Sequence, residues 1–230
     1  MKRSDILFLA IVILFFLPFF TCSWVYNHYV QLNAEHGMIM SFIKFALLAT
    51  LGEVIALRIK KGVYNEKGFG ILPRALVWGF LGLAIKLAFT VFATGMPVFL
   101  EYLGVKDAVL SMKGGFSGLK LFSAFSISTA MNLIFAPVMM TFHKITDTHI
   151  LQTGGTISGL FSKINFGQIL KNMNWDVMWN FVFKKTIPFF WIPAHTITFL
   201  LPAEYQILFA AVLGIALGLI LAIASLKGSR

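Results

Sequence analysis

Six stretches of this chain are too long and too apolar for the surface of a water-soluble protein, and they decide the solvent in which it folds. They cover residues 6–20, 38–57, 72–92, 119–142, 186–201 and 205–226. A hydrocarbon core of about 30 Å needs about 20 apolar residues in a helix, and most of these runs come close to that length. Of 230 residues, 58% are hydrophobic and only 12% are charged, which leaves too little polar surface to coat a globule. The expectation is an all-α, polytopic transmembrane helix bundle of about six spans, with residues 1–230 forming one domain.

The first run carries Lys2 and Arg3 ahead of it and Thr21-Cys22-Ser23 behind it, the layout of a secretory signal peptide. A retained span is the preferred reading, because the apolar stretch continues through Trp24. It is expected as an extra helix over residues 5–25. The third run continues past Gly95-Met96-Pro97, where a bend or an end is expected. The fifth is short, and residues 168–183 before it read as an amphipathic segment on the membrane surface.

Orientation follows from the basic residues. Twelve of the nineteen fall on one side of six alternating spans: Lys2, Arg3, Arg58, Lys60, Lys61, Lys67, Arg74, Lys144, Lys163, Lys171, Lys227 and Arg230. Three, Lys106, Lys113 and Lys120, fall on the other side. Cytoplasmic loops hold the excess of Lys and Arg, so both termini are expected in the cytoplasm. The bias exists only for an even number of spans, which also argues for retaining the first. Trp24, Trp175 and Trp179 lie near span ends, as an interfacial belt requires. The net charge of +10 is scattered between apolar runs, so nucleic acid is not an expected partner. Cys22 is the only cysteine, which excludes an internal disulfide and a thiolate metal cluster.

Ionisable groups at lipid depth cost at least ~2.5 kcal/mol each on insertion scales, so each is a candidate for function. Lys44 and Lys86 lie about 21 Å and about 18 Å from the cytoplasmic ends of their spans, and Glu53 about 7 Å. Together with Asn132, five residues before Pro137, and His195, they are the residues expected to form a polar path. The plainer reading is that Glu53 pairs with Lys86, Lys44 extends to the outer interface and Asn132 bonds a neighbouring helix. Ala210, Gly214, Gly218 and Ala222 recur every four residues and should let another helix approach closely, within the bundle or in a homo-oligomer.

His143, Asp147 and His149 have metal-ligand side chains but only a weak spacing signal, and no metal is expected. The nucleotide, hydrolase and metalloprotease motifs GxxxxGK[ST], GxSxG and HExxH do not occur. Neither an enzymatic activity nor a cofactor is expected. The stretch Gly154-Gly155-Thr156-Ile157-Ser158-Gly159 reads as a flexible linker.

Trp191, Pro193, Ala194, Phe199, Pro202 and Tyr205 follow one another in the order of a C-terminal signature, and in this they resemble the Mpv17/PMP22 family of small membrane proteins. Gly52-Glu53, Arg74 with Gly79, and Asn132 with Pro137 echo earlier family positions. The resemblance therefore covers about residues 45–226. Where the family has Gln and Asn in its signature, this chain has His195 and Thr198. The resemblance implies a remote, bacterial member in the inner membrane with a channel-like role for small solutes. The resulting expectation is a channel or facilitator for small polar or anionic solutes, surrounded by membrane lipid. The alternative is a non-transporting scaffold or stress-response protein that recruits partners or lipids.

Overall fold

The structure is a computed structural model that describes residues 2–228, with side chains described as far as residue 220. The described residues form helices and their connections, without strands. The chain divides into two compact units, residues 1–40 and 41–230.

In the first unit, α1 (Arg3–Phe16) is followed directly by α2 (Pro18–Thr21) and then by α3 (Ser23–Glu35). Proline suits the first turn of a helix because its missing N–H would have no partner there. The apolar helix does not run on through Trp24 as expected. Cys22 is extended, with φ −121° and ψ 106°, so the chain turns and Trp24 opens α3 instead. Phe19 and Tyr29 pack edge to face across this turn, with ring centroids 5.6 Å apart. No residue of α1 is buried by protein, as suits a helix whose solvent is lipid.

The second unit begins within α4 (Gly37–Lys61) and continues through α5 (Ile71–Tyr102), α6 (Ala108–Lys113), α7 (Gly118–Gln152), α8 (Ile157–Leu160), α9 (Phe166–Lys171) and α10 (Trp175–Val177). A π-helical segment (Met178–Trp191), α11 (Ile192–Leu200) and α12 (Ala203–Gly228) complete it. Gly82 lets α4 and α5 touch backbone to backbone. A Cβ there would stand 2.8 Å from the Ser41 carbonyl, and the Ser41 hydroxyl instead donates to the Gly82 carbonyl at 2.9 Å. Helix α5 also runs unbroken through Pro97, so Gly95-Met96-Pro97 does not end it.

Two expected boundaries move. Helix α7 continues ten residues past the apolar run that ends at Phe142, placing His143 and Asp147 one turn apart on a helix face. Residues 168–183 are not one surface helix. They break at 172–174, and Ile169, Met173 and Met178 pack onto Ile145 of α7.

From Trp175 to Leu200 the chain is helical throughout, with no break at Thr186. Its middle is wound more widely: the Thr186 hydroxyl donates to the Phe181 carbonyl five residues back, and the Ile192 N–H to the Ile187 carbonyl. Proline in an α-helix clashes with the carbonyl four residues earlier, and a wider turn relieves that clash around Pro188. Among the described residues five helices are long and apolar enough to cross a membrane: Arg3–Thr21, α4, α5, α7 and Ala203–Ile220 of α12.

The glycine-rich stretch after α7 is not a free linker. A Cβ on Gly155 would meet the Gly68 carbonyl and the Gly70 nitrogen at 2.7 Å. Gly155 therefore lies backbone against backbone with Gly68 and Gly70.

Candidate functional site

At one end of the second unit, charged side chains from α4, α5 and α7 converge on Arg74. Its Nε–H donates to the Phe69 carbonyl at 2.7 Å, and its Nη1 to Glu53 Oε2 at 2.5 Å. The Nη2 pairs with Asp147 Oδ1. The guanidinium lies over the Phe69 ring, 4.5 Å from its centroid. Arg74 is only 8% exposed as a side chain, so all of these bonds form largely out of water. A planar fork of N–H donors is suited to bridge two carboxylates, which a lysine ammonium would do with less directional control.

The other Glu53 oxygen, Oε1, accepts from Trp78 Nε1–H at 2.8 Å and lies 3.3 Å from His143 Nε2. The Trp78 and His143 rings are 4.4 Å apart and tilted by 41°. Lys144 adds a contact to Asp147 at 3.6 Å. Arg74 and Trp78, one helical turn apart on α5, and His143 of α7 thus close on one carboxylate of α4, while Asp147, one turn beyond His143, closes on Arg74. Replacing Trp78 by Phe removes a hydrogen bond to a charged acceptor and is expected to cost about 1.5–3 kcal/mol. Thermal unfolding in detergent measures this, and an unchanged midpoint contradicts it.

The expected pairing of Glu53 with Lys86 is not formed. Lys86 lies about 18 Å further along α5 than Arg74, beyond the reach of its side chain. Lys86 instead lies near Lys44, which is buried at 5% exposure, and the two ammonium groups act on each other electrostatically. His149 turns away from His143 and Asp147, placing Nε2 3.0 Å from the Gly159 carbonyl.

Beyond this network a chamber of about 350 Å³ lies between α4, α5, α7, the π-helical segment, α11 and α12. Three of the expected polar-path residues line it: Glu53, Asn132 and His195. Lys44 and Lys86 do not. The wall is mainly aromatic and aliphatic, with Phe45, Phe89, Phe135, Trp191, Met131 and Met139 among its residues. One end is marked by Trp78 and His143. The other is marked by Phe89, whose ring meets His195 edge to face at 5.4 Å. Trp78 and Phe89 are about 16 Å apart along α5, so the chamber is elongated.

The small residues of α12 divide between two uses: a Cβ on Gly218 would stand 3.9 Å from the Gly52 carbonyl oxygen, so α4 comes close there, while Gly214 faces open space. Ala210, Gly214 and Gly218 line the chamber, and a Cβ on Gly214 would have nothing within 4 Å. The same approach is tightest from the α4 side at Gly52, where a Cβ would stand 3.1 Å from the Ile215 backbone. The Ala222 side chain lies outside the described residues. The signature residues Trp191, Pro193, Ala194 and Phe199 occupy the junction of the π-helical segment and α11, and Pro202 and Tyr205 the turn into α12.

Fold and site together define an all-helical protein with helices of membrane-crossing length and composition, built around an apolar chamber with a charge network at one end. Compared with models of known families, with characterised proteins and with solved structures, the chain matches none.

Proposed function

We propose that this is an integral membrane facilitator that accepts small amphipathic solutes into the chamber between its helices. The observation that carries the reading is the chamber itself. Its volume falls within the ~300–1,000 Å³ of small-molecule sites, and its wall is apolar with a few polar groups. An anionic solute is the weaker choice, because Lys44 and Lys86 lie off the lining and the one lysine on it, Lys144, already faces Asp147 at the end where the Glu53 carboxylate also lines the wall.

In this reading residues 175–200 form the remaining crossing, making six with both termini in the cytoplasm, and the excess of basic residues on that side supports it. The membrane is taken as a bacterial inner membrane. The chain is taken as a remote member of the Mpv17/PMP22 family, supported by the order of its signature residues around α11. It is not an enzyme and needs no cofactor. A non-transporting scaffold is the second reading, favoured by the charge network that ties α4, α5 and α7 together at one end of the chamber.

Swelling of proteoliposomes in butanediol, followed by light scattering, separates the two. The facilitator predicts a swelling rate several-fold above empty vesicles, abolished by Gly214→Phe and unchanged by Lys86→Met. Swelling no faster than empty vesicles rejects it in favour of the scaffold. The Gly214→Phe variant should remain folded, because open space receives the ring and a helix-interior glycine is replaced, which by itself is worth several tenths of a kcal/mol. A lowered unfolding midpoint contradicts this.

A further inference from the structure

At the Phe89 end of the chamber two side chains present free acceptors, beside the Trp191 Nε1–H, a fully buried donor that also has no partner among the described residues. Asn132 is 2% exposed, and its Nδ2 donates to the Ser128 carbonyl at 2.8 Å and contacts the Ser128 hydroxyl at 3.3 Å. A backbone carbonyl can only accept, so the amide is oriented with its nitrogen towards Ser128 and its Oδ1 away. Among the described residues no hydrogen bond reaches that Oδ1.

His195 repeats the pattern. Its Nδ1 lies 3.4 Å from the Thr198 hydroxyl, whose own proton goes to the Ala194 carbonyl at 3.0 Å. In the neutral ring Nδ1 therefore carries the hydrogen and Nε2 is a bare acceptor. No hydrogen bond reaches Nε2 among the described residues. The ring cannot readily turn, because Trp191 stacks on it at 5.1 Å with a 16° tilt and Phe89 meets it edge on. His195 is 7% exposed.

Both residues belong to the end of the chamber away from Trp78. Asn132 is about 16 Å along α7 from His143, as Phe89 is along α5 from Trp78. Buried acceptors without a donor are costly, and in a largely apolar chamber a ligand is the natural source of one. The donor cannot come with a full positive charge, because Glu53 is already engaged by Arg74, Trp78 and His143 and no other carboxylate lines the chamber. A carboxylate or phosphate would bring only acceptors to Asn132 Oδ1 and His195 Nε2, and the one lysine of the lining, Lys144, lies at the other end beside Asp147.

The geometry points to a site for a neutral hydroxyl-bearing amphiphile, an alcohol or phenol whose O–H donates to Asn132 Oδ1 or His195 Nε2 while its apolar body fills the chamber towards Trp78. This rests on the reading of the chamber as a ligand site. The Phe89 end binds the head and the Trp78 end the tail.

Bromine quenches tryptophan fluorescence on contact, and Trp78 and Trp191 both line the chamber. The protein in lipid nanodiscs is titrated with bromodecanol, with its methyl ether, with bromodecanoate and with bromodecylammonium. Gly214→Phe supplies the non-saturable quenching caused by probe in the lipid. The expected result is saturable quenching by the alcohol at a concentration about tenfold below the ether, the order of one hydrogen bond to a buried acceptor. Both charged probes should bind more weakly than the alcohol.

Asn132→Leu and His195→Phe should each reduce the preference for alcohol over ether while keeping saturable ether binding, and His195→Gln, which restores an acceptor, should recover it. Asn132 also bonds within α7, so retained ether binding serves as the check that a variant is folded. Saturable binding with equal affinity for alcohol and ether, or an alcohol preference untouched by both variants, overturns the headgroup assignment and leaves the chamber reading standing. Tighter binding of either charged probe also overturns it. If no probe gives quenching that Gly214→Phe removes, the chamber reading itself fails.

Discussion

Arg74→Met is expected to destabilise the protein by about 3–5 kcal/mol, the cost of breaking a buried ion pair from one side. The methionine fills much of the same space, so lost packing is a small part of the effect. The larger part is that Glu53 and Asp147 lose the cation that faces both of them, in a place where Arg74 itself is only 8% exposed. The Phe69 carbonyl loses its donor at the same time. Lys144 is half exposed and meets Asp147 at 3.6 Å, so Lys144→Met should cost no more than about 1 kcal/mol, as for surface pairs. Unfolding midpoints in detergent compare the two. Combining Arg74→Met with Glu53→Gln and Asp147→Asn removes the stranded charges and should recover part of the loss. Equal effects of Arg74→Met and Lys144→Met would mean that the network is solvated and does not hold the helices together.

Gly155→Ala carries the second large effect, about 2–6 kcal/mol. Its φ of +69° lies in the left-handed region, where a side chain is strained by about 1–3 kcal/mol. Its Cβ would also overlap backbone atoms of Gly68 and Gly70, which cannot move aside as a side chain can, and overpacking of this kind adds about 1–3 kcal/mol. Gly154 provides the internal comparison. Its φ is +74°, but a Cβ there meets nothing within 4 Å, so Gly154→Ala should pay the conformational cost alone. If the two substitutions are equally mild, Gly155 does not pack against Gly68 and Gly70 as described.

Length and hydrophobicity made the helices α4, α5, α7 and α12 legible, because a lipid solvent demands long, continuous apolar runs. Their ends were less so. The run that stops at Phe142 hides ten further helical residues, since a helix that packs one face on short neighbouring segments needs no apolar continuity. The turn at Cys22 and the π-helical winding around Pro188 are local backbone choices that apolar composition does not encode. Glu53, Asn132 and His195 could be singled out because each is polar in an apolar run. Arg74 stood out only as a basic residue near a span end, although its spacing to Trp78, and that of His143 to Asp147, places each pair on one face. What could not be read was which faces meet. Lys86 and Arg74 lie on the same helix, and the partner of Glu53 follows from the depth at which α4 and α5 cross.

By itself the sequence determined the solvent and the class of fold: helices built for lipid, with a handful of polar residues set inside them. Tertiary structure alone decided that Arg74 bridges Glu53 and Asp147, that Gly214 opens onto a chamber, and that Asn132 and His195 line the same space. Hydrophobicity is a property each residue carries along the chain, whereas a charge pair, a cavity or an unmet acceptor exists only between residues that packing brings together.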